Sequence, residues 1–383
     1  MKKVLRTRLC DMLGIDYPIL SAGMGPSLIG ERTGAPVELV VAVSEAGGLG
    51  VLGGAGFSVD GLRQAIREIH KLTDRPFGVD LLLPGQIVSA GDRPETEEDQ
   101  RPLREVVKAL PKAHYDWLMK MKAEFDLPDT DTTMTGNTTV TRPRAAIAVC
   151  LEENVPLFCS GLGDPGFMVE DAHAAGMKVL GISGNAKNAG RIAASGADLV
   201  VAQGHEGGGH TGRVGSFALW PQAIDAAAPT PVLAAGGVGD GRGLAAALAM
   251  GCVGVWVGTR FLASTEGGAL ANQKQAIVDA GDEQTRRGYF YTGKTSRATY
   301  NGVHDLWEKS GLEPLPFPVQ VLLSSALVDM FNAAGRQEYI GPFAGQVCGL
   351  IGEIKPAAEI VEEMIEQAVD ILGRKLAEEV RLA

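Results

Sequence analysis

Leu199-Val200-Val201-Ala202-Gln203-Gly204-His205-Glu206-Gly207-Gly208-Gly209-His210-Thr211-Gly212 sets a short apolar run directly before a glycine-rich loop that ends on a histidine. The run reads as a strand over 198–202. An ordered glycine costs about 0.5–1 kcal/mol relative to alanine in regular structure. Three in succession make sense where something flat or anionic approaches the backbone. A histidine closing such a loop suits proton transfer or hydrogen bonding beside the bound ligand.

Working outward, the same unit of short apolar strand, turn and amphipathic helix recurs in both directions. Strands are expected at 19–22, 49–52, 77–83, 155–160, 178–183, 231–235 and 253–257, which with 198–202 makes about eight. Helical spacing appears at 37–46, 59–72, 164–175, 186–195 and 241–250, with Leu62, Ile66 and Ile69 on one face of the second. Such alternation implies an α/β fold, a parallel sheet covered by helices. Eight units point to a closed (β/α)8 TIM barrel.

Two stretches break the rhythm. Residues 84–141 read as an insertion after strand 3: charged at first, then helical around His114, Tyr115 and Trp117, then threonine-rich. Connections this long are uncommon unless functional or disordered. Residues 263–344 read as a small helical subdomain, with helices at 269–280 and 319–334 and Gly302, His304 and Trp307 between them. The last helix, 356–380, carries Val361, Met364, Ile365, Ala368 and Leu372 on one stripe, so it is assigned to the barrel core. The expected division is therefore a barrel over 1–262 and 345–383 and a subdomain over 263–344.

With 35 basic and 46 acidic residues among 383, the net charge is −11, and no long basic stripe suggests nucleic acid as a partner. The five cysteines, at 10, 150, 159, 252 and 348, form no C-x-x-C pair and read as buried free thiols in a reducing compartment. The basic N-terminus lacks a following apolar stretch, so no signal peptide is expected. No apolar run reaches the ~18 residues of a membrane helix. A cytoplasmic protein without membrane contact is the expectation.

Gly48-Leu49-Gly50-Val51-Leu52-Gly53 matches G-x-G-x-x-G but contains a strand instead of following one, so it does not read as a dinucleotide fingerprint. Ala234-Ala235-Gly236-Gly237-Val238 and Val257-Gly258-Thr259-Arg260 lie past the C-terminal ends of consecutive late strands. Loops there often bind a phosphate in barrels, through glycine amides and here a Thr259 hydroxyl. The alternative is a pair of tight turns without ligand. His205 and His210 are spaced H-E-x-x-x-H through glycines, which does not suit a zinc helix, so no metal is expected. Gly23 and Gly25 permit a close backbone pass after strand one, where Met24 either packs or covers an aromatic ligand. Asp80 in an apolar strand is either turned to the mouth or paired.

Ala22-Gly23-Met24, Phe77-Gly78-Val79-Asp80, Gln203 to Gly212, Ala235-Gly236-Gly237 and Gly258-Thr259-Arg260-Phe261 follow one another in this order. In these residues the chain resembles the nitronate monooxygenase (2-nitropropane dioxygenase-like) family of FMN-dependent barrels. The likeness covers roughly 9–83 and 142–262, with Gly345-Gln346-Val347 and the last helix. It implies FMN at the C-terminal mouth of the barrel, its phosphate on Gly237, Gly258 and Thr259. Gln203 and Gly208 would contact the flavin, and Gly23 and Met24 would lie under the ring. Ala22, Gly209 and Gly236 complete the implied cofactor set. Asp80 stands where the family usually has an asparagine near the flavin, and His210 matches the active-site histidine. The chain departs from the family in Glu206-Gly207-Gly208-Gly209-His210, where Glu-Ala-Gly-Gly-His is commoner, in Asp80 itself, and in the insertion.

The implied activity is oxidation of a nitronate or nitroalkane with dioxygen, without nicotinamide. His210 would abstract the α-proton or hold the anion. The implied partners are a small-molecule substrate and dioxygen, and a homodimer is compatible with the fold. A second reading keeps the flavin but makes the chain an NAD(P)H-dependent reductase of a quinone or enoyl thioester. A third has it act on a coenzyme A-linked steroid fragment, the insertion widening the pocket. A flavin-free aldolase or isomerase would want a lysine at a strand end, and Lys178 lies at the wrong end.

Overall fold

The computed structural model describes residues 5–25, 33–93, 101–133 and 139–380. The parts of the insertion at 94–100 and 134–138 lie outside the described residues. Eight parallel strands form the centre: β1 (Ile19–Ser21), β2 (Val51–Gly53), β3 (Gly78–Leu82), β4 (Leu157–Gly161), β5 (Lys178–Ser183), β6 (Leu199–Gln203), β7 (Val232–Ala235) and β8 (Gly254–Val257). Their spatial order runs β1-β8-β7-β6-β5-β4-β3-β2. The two ends meet through a parallel bridge between Leu20 and Leu49. There Ser21 N–H donates to Leu49 C=O and Leu49 N–H to Ile19 C=O, each at 3.0 Å. The sheet is thus a nearly closed TIM barrel.

Both faces of such strands are buried, so successive side chains serve two cores. Leu157, Cys159, Leu180, Leu199, Val201, Leu233 and Trp256 fill the barrel interior. Helix Arg8–Leu13, capped by Thr7 and by Gly14 in a left-handed turn, adds Leu9, Cys10 and Leu13 to that cluster. Leu9 reaches Gly254 at the start of β8, so this helix plugs the barrel's N-terminal end and leaves the opposite end open. Val79, Leu81, Phe158, Val179, Val200, Ala234 and Val255 point the other way, into the layer beneath the helices. Gly50 of the G-x-G-x-x-G run serves that layer: a Cβ there would lie 2.2 Å from the Val40 carbonyl oxygen of helix Val37–Glu45. The run packs a helix onto the sheet.

The expected helix at 59–72 forms as Val59–Leu72. That at 164–175 opens instead with a 3-10 turn, Pro165–Met168, before Val169–Ala174. The last helix runs as Ala357–Asp370 and passes through a π turn, Ile371–Lys375.

The two interruptions of the βα rhythm meet over the open end. Helix Lys112–Glu124 of the insertion packs on helix Val319–Ala333, and Leu118, Met121, Leu323, Leu327 and Phe331 share one apolar cluster. Trp117 meets Trp307 edge-on with ring centroids 5.5 Å apart. The region 263–344 is not wholly helical, however. It contains a hairpin, Thr285–Gly288 with Ser296–Thr299. To this hairpin the short strand Gly209–His210 adds a third member, His210 opposite Ser296 and Gly209 opposite Arg297. Thr285-Arg286-Arg287-Gly288 and Ser296-Arg297-Ala298-Thr299 lack apolar alternation, so their pattern carries no strand signal.

Candidate active site

The open end of the barrel and the lid enclose a cavity of about 1450 Å³. A single ligand pocket is commonly about 300–1000 Å³, so there is room for a cofactor and a substrate together. Every residue expected to form the site lines it: Ala22, Gly23, Met24, Asp80, Gln203, Gly208, Gly209, His210, Gly236, Gly237, Gly258 and Thr259. These come from the C-terminal ends of β1, β3, β6, β7 and β8, the end of a barrel that builds active sites.

The loop after β7 turns through Gly236 and Gly237 at φ 86° and 72°, a left-handed pair that only glycine adopts readily. A side chain on Gly236 would also strike Ser216 Oγ at 2.9 Å. After β8, Thr259 Oγ1 accepts from Gly345 N–H at 2.9 Å, which leaves its own hydrogen free to donate. Small backbone-lined turns with a hydroxyl donor fit a phosphate. Arg260, although next in sequence, faces away and donates to the Glu353 carbonyl at 3.0 Å.

The loop after β6 is braced from three sides. Gln203 Nε2 donates to the carbonyls of Gly208 (3.2 Å) and His210 (3.0 Å). Arg297 donates through Nε and Nη2 to the His205 carbonyl, both at 3.3 Å. Glu206 accepts from Ser216 N–H at 3.0 Å, at the start of helix Ser216–Ala227, and its carboxylate lies 3.1 Å from His205 Nδ1. The two loop histidines therefore have different partners. Among the described residues no group of three or more metal-ligating side chains is gathered.

His210 Nε2 lies 2.9 Å from Thr292 Oγ1, and its ring stands edge-on to Phe317 with centroids 6.3 Å apart. Burial first, and then the Lys294 ammonium, push its pKa down to about 4. The imidazole is neutral at ordinary pH. Thr292, Lys294 and Phe317 also line the cavity, with the ammonium 5.5 Å from the Phe317 ring centre. All three fall in the region read as a helical subdomain. Thr292 and Lys294 reach the site because the hairpin pairs with Gly209–His210, Phe317 comes from the segment just before helix Val319–Ala333, and no local pattern marks any of them.

Asp80, the middle residue of β3, is buried and has Oδ1 without a hydrogen-bond partner. Burial holds its carboxyl well above the usual carboxylate range, against a smaller opposing influence of the Gly161 backbone hydrogen bond. On the lid, Asp329 is likewise buried with an unpartnered Oδ2. At the other end of the barrel, Lys178 and His173 pair with Asp198 at 3.0 and 2.9 Å, away from the cavity. The five cysteines are all buried and unpaired. Among the described residues, no helix is long and apolar enough to cross a membrane.

A family model described as nitronate monooxygenase matches residues 6–367. A Mycobacterium tuberculosis protein whose name provisionally makes it a monooxygenase is 33% identical over 97% of this chain and 98% of its own. A nitroalkane oxidase of Streptomyces ansochromogenes superposes with a TM-score of 0.77 at 30% identity, covering 95% of this chain and 99% of that one. FabK of Thermotoga maritima superposes with a TM-score of 0.73, also at 30% identity, covering 98% of this chain and 100% of that one. The match across the barrel, the glycine-braced mouth and the lid together makes this chain a member of the nitronate monooxygenase family of oxidoreductases.

Proposed function

We propose that this chain is an FMN-dependent monooxygenase that oxidises a nitronate with dioxygen. The family supports oxidoreductase chemistry, and the residues of the mouth suit a flavin nucleotide. Backbone turns at Gly236, Gly237 and Gly258 with the Thr259 hydroxyl would hold the phosphate. Ala22, Gly23 and Met24 would lie along the ring, with Gln203, Gly208 and Gly209 bracing the far side. The bound flavin would supply the electron acceptor for the substrate and the means of reaction with dioxygen. In this reading residues 1–262 and 345–383 form the FMN-binding barrel, and 84–141 and 263–344 cover it.

The observation that carries the reading is the placing of His210 and the Lys294 ammonium against the same Phe317 ring in the cavity wall, where burial and that ammonium hold the imidazole's pKa down to about 4. A base with a pKa of about 4 is poorly matched to a carbon acid near neutral pH. It is well matched to a substrate that arrives already ionised. Thr292 Oγ1 lies within reach of both His210 Nε2 (2.9 Å) and the Lys294 carbonyl (3.3 Å), and in the proposed arrangement its hydrogen points to Nε2. With the Thr292 hydrogen on Nε2, the imidazole keeps its proton on Nδ1. That N–H can donate to a nitronate oxygen, and Lys294 supplies the countercharge. Phe317 shields the pair from water, which strengthens both interactions.

A second reading has one observation in its favour. The lid walls add Val321, Leu322, Val328 and Phe343 to a cavity of about 1450 Å³, more than a small nitronate fills beside a flavin. That suits a bulky acyl or coenzyme A-linked substrate on the same scaffold. Anaerobic mixing separates the readings. Propyl-2-nitronate should bleach the visible flavin bands and NADPH should leave them intact. Bleaching by NADPH alone would reject the monooxygenase in favour of a reductase.

A further inference from the structure

Asp80 occupies the last inward-facing position on β3 before Leu82. Val79 and Leu81 on either side point outward into the helix layer. In the sheet it stands opposite Gly53 of β2 and Cys159 of β4. Its carbonyl accepts from Gly54 N–H at 2.9 Å, which fixes the strand end. The side chain lies hard against the loop after β1: a Cβ on Gly23 would sit 2.1 Å from Asp80 Cβ. The carboxyl is therefore confined between the β1 loop and Gly161 of β4, at the rim of the cavity. Oδ1 is buried there with no hydrogen-bond partner.

Among the described residues an ionised carboxylate in that position would be a buried charge without a counterion, which is costly. Among the described residues, no cation figures among the influences on Asp80. Among the described residues the titratable group facing it is Cys159, whose own thiol is raised by burial and, less, by Asp80 itself. Among the described residues the Gly161 backbone hydrogen bond is the one influence toward ionisation, and burial outweighs it. The neutral acid has one O–H to place, and the rim offers it no protein acceptor on Oδ1. An isoalloxazine edge carries carbonyl and ring-nitrogen acceptors of the required kind.

We propose that Asp80 binds the flavin as a carboxylic acid, donating its proton in a hydrogen bond, so that cofactor affinity in this chain falls as pH rises. This rests on the flavin reading above. An amide at this position would donate at every pH, whereas Asp80 donates only while protonated. The sign follows from linkage: flavin binds the protonated form better, so bound flavin holds the proton more tightly than free protein does. Above the free protein's pKa, affinity then drops by up to about tenfold per pH unit until the bound form also ionises.

The test is a titration of flavin fluorescence by the full-length protein, reversibly stripped of cofactor, from about pH 6 to about pH 9. FMN and riboflavin are run in parallel, because the FMN phosphate itself titrates near pH 6. His210, at about 4, lies below the window. The dissociation constant of the unmodified protein should rise with pH for both flavins, and that of Asp80→Asn should stay flat. The wild-type infrared spectrum at neutral pH should carry a protonated-carboxyl band that binding shifts. That band, retained in Asp329→Asn, keeps the test decisive should Asp80→Asn fail to fold. A flat wild-type profile overturns the proposal while leaving the flavin reading intact. Affinity that rises with pH, the mark of an ionised Asp80 accepting from the flavin, does the same. Failure of both flavins to bind at any pH overturns the flavin reading and this proposal with it.

Discussion

The barrel mouth meets the cavity with backbone and small side chains, among them Gly23, Gly208, Gly236, Gly237 and Gly258. The lid meets it with Lys294, Phe317, Leu322 and Phe343. The mouth is built from short turns that each follow a strand, so every piece is local in sequence. The lid is built from segments about two hundred residues apart, 103–127 and 290–340, that hold one another through a single apolar cluster. A surface of backbone suits a ligand that stays in place, and a surface of side chains can be changed without disturbing it. Cofactor binding and substrate handling should therefore be separable by mutation.

The largest effect should come from breaking the lid. Trp117 is buried against Trp307, and large aromatic to alanine changes in a core cost about 3–5 kcal/mol. Trp117→Ala should make the lid protease-sensitive and cripple nitronate turnover while the purified protein keeps its flavin. Loss of flavin in step with the lid would end the separation. Next in size, His210→Ala removes the proposed donor to the anion. Loss of one such preorganised donor costs about 10²–10³-fold in rate. The decrease should appear in kcat/KM for a nitronate, with flavin content unchanged. Near-normal turnover would reject the role.

This division also explains what the chain discloses before folding. The eight strands and their order are readable because each βα unit repeats the same apolar and helical periods. The turns at Gly236–Gly237 and Gly258–Thr259, proposed to hold a phosphate, are readable because barrel topology says where a strand's C-terminal end must point. Gln203 is readable as a neighbour of the loop and, through the family resemblance, as an expected flavin contact. Its work as a brace, donating to Gly208 and His210, depends on a fold that reverses the loop over it. Lys294, Thr292 and Arg297 are silent in sequence. They act through a hairpin of polar residues to which Gly209–His210 adds a third strand. Likewise Trp117 and Trp307 fall in separate interruptions, and nothing local says that they touch.

A smaller effect tests the mouth alone. Gly23→Ala forces a methyl group into Asp80, where its Cβ would lie 2.1 Å from that of the acid. Overpacking of this kind costs about 1–3 kcal/mol, which corresponds to about 5–150-fold in flavin affinity. Equilibrium flavin binding should weaken within that range, and the lid's resistance to protease should not change. A lid that loosens in parallel would mean that mouth and lid are one cooperative unit.

The smallest effect reads charge transmitted from lid to mouth. The Lys294 ammonium lowers the His210 pKa, but less than burial does. Lys294→Met should therefore move the imidazole upward from about 4 while leaving it below its ordinary value of 6.5. The shift is measurable by following the ring proton of His210 by nuclear magnetic resonance in the flavin-loaded protein. The same variant should raise KM for a nitronate more than it lowers kcat, because the countercharge bears on binding the anion before it bears on any later step. A midpoint that stays put would show that the ammonium points away from the ring, and the anion would then have His210 alone to hold it. A midpoint that falls would contradict the sign, since removing a neighbouring positive charge can only make a cationic imidazole easier to form.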